Sequence, residues 1–350
     1  MEPGLPPTPN PFFRTARFSD HDELVSLIQG GDAEFIQKGR GAFEGTFTFM
    51  GLDGGTLQFG HIKLPHLGRG APRVKRLGFL LRLDLRGEWI WGGKVMDPRS
   101  IFYLAPNAEH QDICPGNSSW AFLSFEPSLM DKTSVRILGG DAALPASGSK
   151  LFLPESKAFE VLRRRLKAMH AAVQADPSLL QVPEIRHGMR ESILAPLSAA
   201  VRSASRIRPT SESAAVRRRV SRQVDAYLDA SRGETIYLSD LCAVTGVSER
   251  TLRTVFQENY RMSPVRYLRV RRLHQVRWML RRIDADENTV QSVANRFGIW
   301  HLGRFAAEYR HLFGESPLQT LRQGSRCAVD PAAHAARIDI PAQTRLLPET

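Results

Sequence analysis

Two short sets of residues in the last third of the chain carry side chains able to read a nucleic-acid duplex. The first is Ser248, Glu249, Arg250, Arg253 and Thr254. The second is His301, Gly303 and Arg304, with Ala307 one turn on. At helical spacing each set falls on one solvent-facing side near a helix start. A guanidinium there can fork onto a guanine edge, worth ~1–3 kcal/mol of discrimination per base. The alternative use of the same arginines is phosphate contact, which positions without specifying. Gly303 and Ala307 offer little hydrogen bonding, so the second set is expected to add backbone affinity more than specificity.

Each set needs a helix to hold it and a second helix to brace that one. Leu238–Thr245 reads as a short helix with Leu241 and Val244 at apolar spacing. Gly246 permits the turn, Val247 plugs the core and Ser248 caps a second helix, Glu249–Tyr260, whose Leu252, Val255 and Phe256 point inward. The pattern returns downstream. Val290, Val293, Ala294 and Phe297 form a first helix, Gly298 the turn and Ile299 the plug. A second helix then runs from Trp300 to Phe313 with Leu302, Phe305, Tyr309 and Leu312 inside. Trp300 is expected in the core. Pro264 to Arg282 reads as one connecting helix with Val265, Leu268, Leu273, Val276 and Leu280 buried. Two such units in register are a far stronger signal than one.

Charge agrees. The 350 residues hold 48 Lys+Arg against 36 Asp+Glu, a net +12. Val216 to Gln323 alone holds 19 Arg, no Lys and 11 acidic residues. An excess of cations concentrated there is drawn to polyanions, and double-stranded DNA is the expected partner. Some of Arg266, Arg269, Arg272, Arg277, Arg281 and Arg282 are expected to meet phosphates.

The stretch Arg217 to Gln323 resembles the DNA-binding domain of the AraC/XylS family of bacterial transcription regulators. The matching residues are Val247-Ser248-Glu249-Arg250-Thr251-Leu252 with Phe256, Ser263-Pro264, Tyr267-Leu268, Arg271 and Leu273. They continue with Val293-Ala294, Phe297-Gly298-Ile299, Phe305, Tyr309 and Phe313-Gly314-Glu315-Ser316-Pro317. The run Phe297 to Tyr309 is similar to the ethanolamine-operon regulator subgroup. The resemblance implies recognition helices in successive major grooves of promoter DNA, about 34 Å apart. A rigid pair bends that DNA, at ~1–6 kcal/mol. It further implies a homodimer, a small-molecule effector and contact with RNA polymerase.

The front half is strand-rich. Phe43, Phe47 and Phe49 alternate, Asp53-Gly54-Gly55 signals a hairpin, and Leu77, Phe79, Leu81, Leu83 and Leu85 alternate with Arg82, Asp84 and Arg86 opposite. This layout is similar to the family's cupin-like sensor barrel. His61, His66, Glu109 and His110 lack the close His spacing of a metal site, so neither metal nor cofactor is assigned. Trp89, Trp91, Phe47 and Phe59 would be core or line an effector pocket. Ala158–Ala175 and Glu184–Ala204 read as amphipathic helices, the second kinked at Pro196, that pack on their own domain or on a second copy.

The expected fold class is α+β. A disordered arm (1–17) leads into a cupin-like domain (18–150) and a helical dimerisation segment (151–204). A linker (205–216), the DNA-binding domain (217–323) and a flexible tail (324–350) follow. Three scattered cysteines, no secretory signal and no apolar run long enough for a membrane span point to the cytoplasm. No nucleophile–base pair or paired carboxylates stand out, so no catalytic residue is assigned and the chain reads as a non-enzyme. Two rivals remain open: a cupin-fold enzyme fused to a DNA-binding module, and an effector-free architectural DNA-binding protein.

Overall fold

The computed structural model describes residues 10–28, 31–72, 76–84, 86–91, 94–106, 108, 110–126, 144, 148–206, 212–231 and 235–329. Parts of the expected arm (1–9), linker (207–211) and tail (330–350) lie outside them, as do Leu85, Asn107 and Glu109.

Short strands alternate with tight turns through the front half. They are β1 (Phe13–Phe18), β2 (Gly31–Gln37), β3 (Gly45–Leu52), β4 (Gly55–Ile62), β5 (His66–Pro72) and β6 (Leu77–Arg82). β7 (Ile90–Trp91), β8 (Lys94–Val95), β9 (Ile101–Leu104), β10 (His110–Cys114), β11 (Ser118–Phe125) and β12 (Ser149–Leu153) follow, with β13 (Ser205–Arg206) after two helices. Helix α1 (His21–Leu27) lies between β1 and β2, and its start is capped by the Asp20 side chain. The Asp53-Gly54 turn joins β3 to β4 with Leu52 opposite Gly55, as the hairpin signal predicts.

The strands form two antiparallel sheets. One runs β1-β3-β4-β11-β6-β9-β12-β13, the other β2-β5-β10-β7-β8. Among the described residues no ladder joins them, so the expected closed barrel is an open pair of sheets. Their facing sides meet in an aromatic core that includes Phe18, Phe43, Phe47, Trp89, Phe102 and Trp120. Period-two alternation sends the neighbouring residues of the large sheet, Met50, Leu57, Phe59, Phe79 and Leu81, to its other face.

That outer face is covered by α2 (Ser156–Ala175) and α3 (Pro183–Ser203). The α2 stripe Phe159, Leu162, Leu166, Met169 and Val173 is buried there. At ~1.5–3 kcal/mol per buried side chain this is a large share of the domain's cohesion. The apolar face read as a possible dimer seam is therefore satisfied within the chain. α3 continues through Pro196.

Three further expectations are corrected. Residues 13–17 of the expected arm are in β1, paired with β3 from Phe13–Met50 to Phe18–Gly45. Proline density at the start masked the Phe-x-x-Ala-x-Phe strand. α4 (Glu212–Ala230) begins within the expected linker. α10 (Pro317–Val329) runs past Gly324 into the first residues of the expected tail. In β6 the face opposite Leu81 also avoids water. Arg82 is 2% exposed and donates to Gly87 O (2.9 Å), Asp84 Oδ1 (2.9 Å) and Arg86 O.

The C-terminal helices continue with α5 (Leu238–Thr245), α6 (Glu249–Tyr260), α7 (Pro264–Leu280), α8 (Val290–Arg296) and α9 (Leu302–Phe313). They form two cores. One joins Val220, Val224, Leu228, Leu241, Leu252 and Phe256 to Ile36, Leu67, Ile90 and Ile113 of the small sheet. The other gathers Leu273, Val276, Val293, Phe297, Phe305 and Tyr309. The first of these two cores is thus shared between the front domain and the C-terminal helices.

Candidate nucleic-acid interface

The first helix–turn–helix forms where the sequence places it. Gly246 ends α5 at φ +64°, a left-handed conformation that glycine adopts without the Cβ penalty. Ser248 caps α6, its hydroxyl accepting from Thr251 N at 3.3 Å. Leu252, Val255 and Phe256 are buried, which turns Glu249, Arg250, Arg253 and Thr254 to solvent.

These four are not equally available. Arg253 Nε donates to Glu249 Oε1 at 2.9 Å, a pair exposed on both sides and so worth only a few tenths of a kcal/mol. Thr254 Oγ1 donates back to Arg250 O at 3.1 Å. Arg250 is exposed and its side chain makes no hydrogen bond or ion pair with another described residue.

In the second unit Gly298 makes the turn at φ +68° and Ile299 is partly buried against the core. The second helix of this unit, α9, starts at Leu302, later than expected. His301 is its N-cap, without a side-chain capping bond. Trp300, expected in the core, is 70% exposed, because Ile299 already fills the inward place before the helix. Gly303 faces open space, with nothing within 4 Å of where a Cβ would lie. Arg304 Nε donates to Glu308 Oε1 at 2.8 Å, and Arg269 of α7 pairs with the same carboxylate. Glu308 therefore ties α9 to the connecting helix.

α7 holds the two units together. Leu268, Leu273, Val276 and Leu280 are buried as expected, but Val265 is 55% exposed, and Val244 of α5 is 38% exposed. Tyr267, Arg271, His274 and Arg277 are buried in their place. Arg266 and Arg272 form no pair with another described residue and remain candidates for phosphates.

The other end of α7 is committed elsewhere. Arg277 Nη1 donates to Asp20 Oδ2 at 3.2 Å, and its other nitrogens bind Glu315 Oε1 at 3.0 and 3.1 Å. Arg281 pairs with Asp20 and Glu23, and Arg282 with Asp22 at 3.2 Å. Beside them His274 Nε2 accepts from Gln37 N at 3.1 Å, and its Nδ1 lies 3.2 Å from His21 Nε2. Burial and neighbouring arginines push His21 down to about 3, and burial with the same cationic surroundings pushes His274 down as well. Sequence reasoning missed this contact. Its one signal is the acidic run Asp20, Asp22, Glu23, complementary to basic residues more than 250 positions away.

Of the histidines considered for metal, His66 and His110 serve packing, while His61 faces Ser119 at the large sheet. His66 contacts Leu64 O at 3.0 Å, and His110 stacks on Trp91 at 5.4 Å. Among the described residues no group of three or more His, Cys, Asp or Glu could hold a metal. No described helix is long and apolar enough to cross a membrane.

Comparison with known proteins places the C-terminal block. Residues 241–323 match the family model described as "Helix-turn-helix domain". The chain is 36% identical over 96 residues to the probable thc operon regulatory protein of Rhodococcus erythropolis, covering 27% of this chain and 29% of that protein. It is 34% identical over 101 residues to a XylDLEGF operon transcriptional activator of Pseudomonas putida, covering 29% and 32%. The match therefore spans less than a third of either relative. The crystal structure of the AraC-like transcriptional activator CuxR aligns over 74% of this chain and 94% of its own, at 15% identity and a TM-score of 0.36. The C-terminal block carries a helix-turn-helix domain.

Proposed function

We propose that the chain is a transcription regulator of the AraC/XylS family. Its two recognition helices, α6 and α9, enter successive major grooves of promoter DNA. One observation carries this reading. Two helix–turn–helix units with exposed starts, at Ser248–Thr254 and His301–Arg304, are held by one connecting helix in an arginine-rich block. Arg250 is the principal base reader, with Glu249, Arg253 and Thr254 beside it. His301, Gly303 and Arg304 serve the second groove, mostly through backbone contact. The two-sheet front half serves as sensor, and a homodimer of the chain pairs two such sites.

The test is enrichment of genomic fragments by the purified protein at about 150 mM salt with competitor DNA. A few promoters should be enriched. Arg250→Ala with Arg253→Ala should lose site preference before general affinity. Uniform binding to all fragments, unchanged in the variant, would sink the assignment and favour an architectural role.

A further inference from the structure

The space between the two sheets is lined by buried aromatic side chains such as Phe47, Trp89 and Trp120. A cavity of about 210 Å³ opens on the opposite face of the large sheet, between β3, β4, β11 and α2. Its walls bring together Thr48, His61, Asp84, Lys167 and His170, with Phe59 and Leu83 as apolar surface.

The charges there are unbalanced. Asp84 is the acidic member, and both its oxygens are taken. Arg82 Nη2 donates to one at 2.9 Å and Ser119 N to the other. Lys167 is exposed and makes no hydrogen bond or ion pair with another described residue. His61 uses Nδ1 toward Ser119 Oγ at 3.0 Å, and His170 uses Nε2 toward Thr48 Oγ1 at 3.1 Å. Each ring keeps its second nitrogen for a further partner. The His170 ring stacks on Phe59 at 4.1 Å and 11°, which fixes its plane.

We infer that this cavity binds a small organic carboxylate, held by the Lys167 ammonium and the His61 and His170 imidazoles, with its apolar part against Phe59 and Leu83. The inference rests on the reading of the front half as a sensor and names what it senses. An ammonium supplies a charge-assisted bond, the strong kind, and a partly enclosed site weakens its screening. Burial holds His170 below the ordinary imidazole range, so an arriving anion meets a neutral ring that can take up a proton. The apolar wall favours an organic anion over a fully hydrated inorganic one.

Calorimetry on the full chain tests this with butyrate, hexanoate and benzoate, their primary amides, and inorganic phosphate. At least one carboxylate should bind about tenfold or more tightly than its amide, a difference of ~1.4 kcal/mol. Lys167→Met and His170→Gln should each weaken it by about tenfold. Lys167 is exposed, so its variant should keep the wild-type thermal midpoint. Binding unchanged in both variants would place the ligand elsewhere and overturn the inference. Equal binding of the amide or of phosphate would overturn its chemistry, and no carboxylate binding would overturn it outright. Promoter enrichment by the same wild-type preparation reads the regulator proposal separately. It can persist when carboxylate binding fails, and its own failure leaves the calorimetry to stand alone.

Discussion

Arg277 donates to Asp20 at 3.2 Å across 257 residues of sequence, and the Asp20 side chain has no exposed surface. A carboxylate this deep is tolerable because Arg277 and Arg281 both face it and Glu23 N donates to it at 2.9 Å. The contact joins the first helix of the front domain to the helix that spans both DNA-binding units.

Removing that carboxylate leaves two guanidiniums short of a partner. Asp20→Ala should cost about 3 kcal/mol, the mild end for a broken buried pair, because Glu315 and Glu23 still offset part of the charge. Urea unfolding measures it, and a loss under about 1 kcal/mol would show the pair to be solvated. In the cycle with Arg277→Ala the double variant should lose less than the sum of the singles.

Stability should fall as the solution is acidified from pH 7 to pH 5. His21 is pushed down to about 3 and His274 is also lowered. The unfolded chain takes up their protons near pH 6.5, and the folded chain refuses them. The contribution is complete above about 6.5 and is lost progressively as pH drops toward 3. By pH 5 the loss from His21 is ~2 kcal/mol, and His274 adds to it in the same direction. The geometry gives the same sign: Nε2 of His274 accepts from Gln37 N and cannot carry a proton in place. His274→Gln should flatten the dependence of the urea midpoint on pH, and an equal slope in wild type and variant would contradict this.

Base reading and phosphate contact separate by their salt response. Arg250→Ala should cost ~1–3 kcal/mol on the preferred site and little on random duplex. Arg266→Ala with Arg272→Ala should weaken both alike and lower the slope of log K against log salt by about 2. Fluorescence anisotropy at several salt concentrations checks both. A uniform effect of Arg250→Ala would demote it to a phosphate contact.

The two turn glycines should differ in their tolerance of a methyl group. Both have positive φ, so Gly246→Ala and Gly298→Ala each incur ~1–2 kcal/mol of backbone strain. At Gly246 the Cβ meets nothing within 4 Å, whereas at Gly298 it comes to 3.0 Å from Thr235 Oγ1. Gly298→Ala should therefore be the more destabilising in denaturant titration; equal costs would mean that the Thr235 side chain yields freely.

The helix–turn–helix units were legible because their determinants are local. A glycine turn, a capping hydroxyl and an apolar stripe lie within about 25 residues, and helix bounds such as Glu249–Tyr260 follow from them. Trp300 was not legible. Periodicity counts it as apolar, and only the core shows that Ile299 has the inward place. Nor was the fate of Arg277, Arg281 and Arg282, which look like a phosphate-binding run. Their partners are acids that chain-local reasoning cannot bring within reach. Strand alternation revealed the sheets, but not whether they close, which depends on how edge strands meet.

Arg277, Arg281 and Arg282 pair with acids from residues 20–23, and Arg277 pairs also with Glu315. The DNA-binding half is therefore not an interchangeable cassette. A chimera that joins it to a foreign front half must import carboxylates at those places or give up the arginines. Inheritance should keep the two segments together, however freely the surface between them drifts.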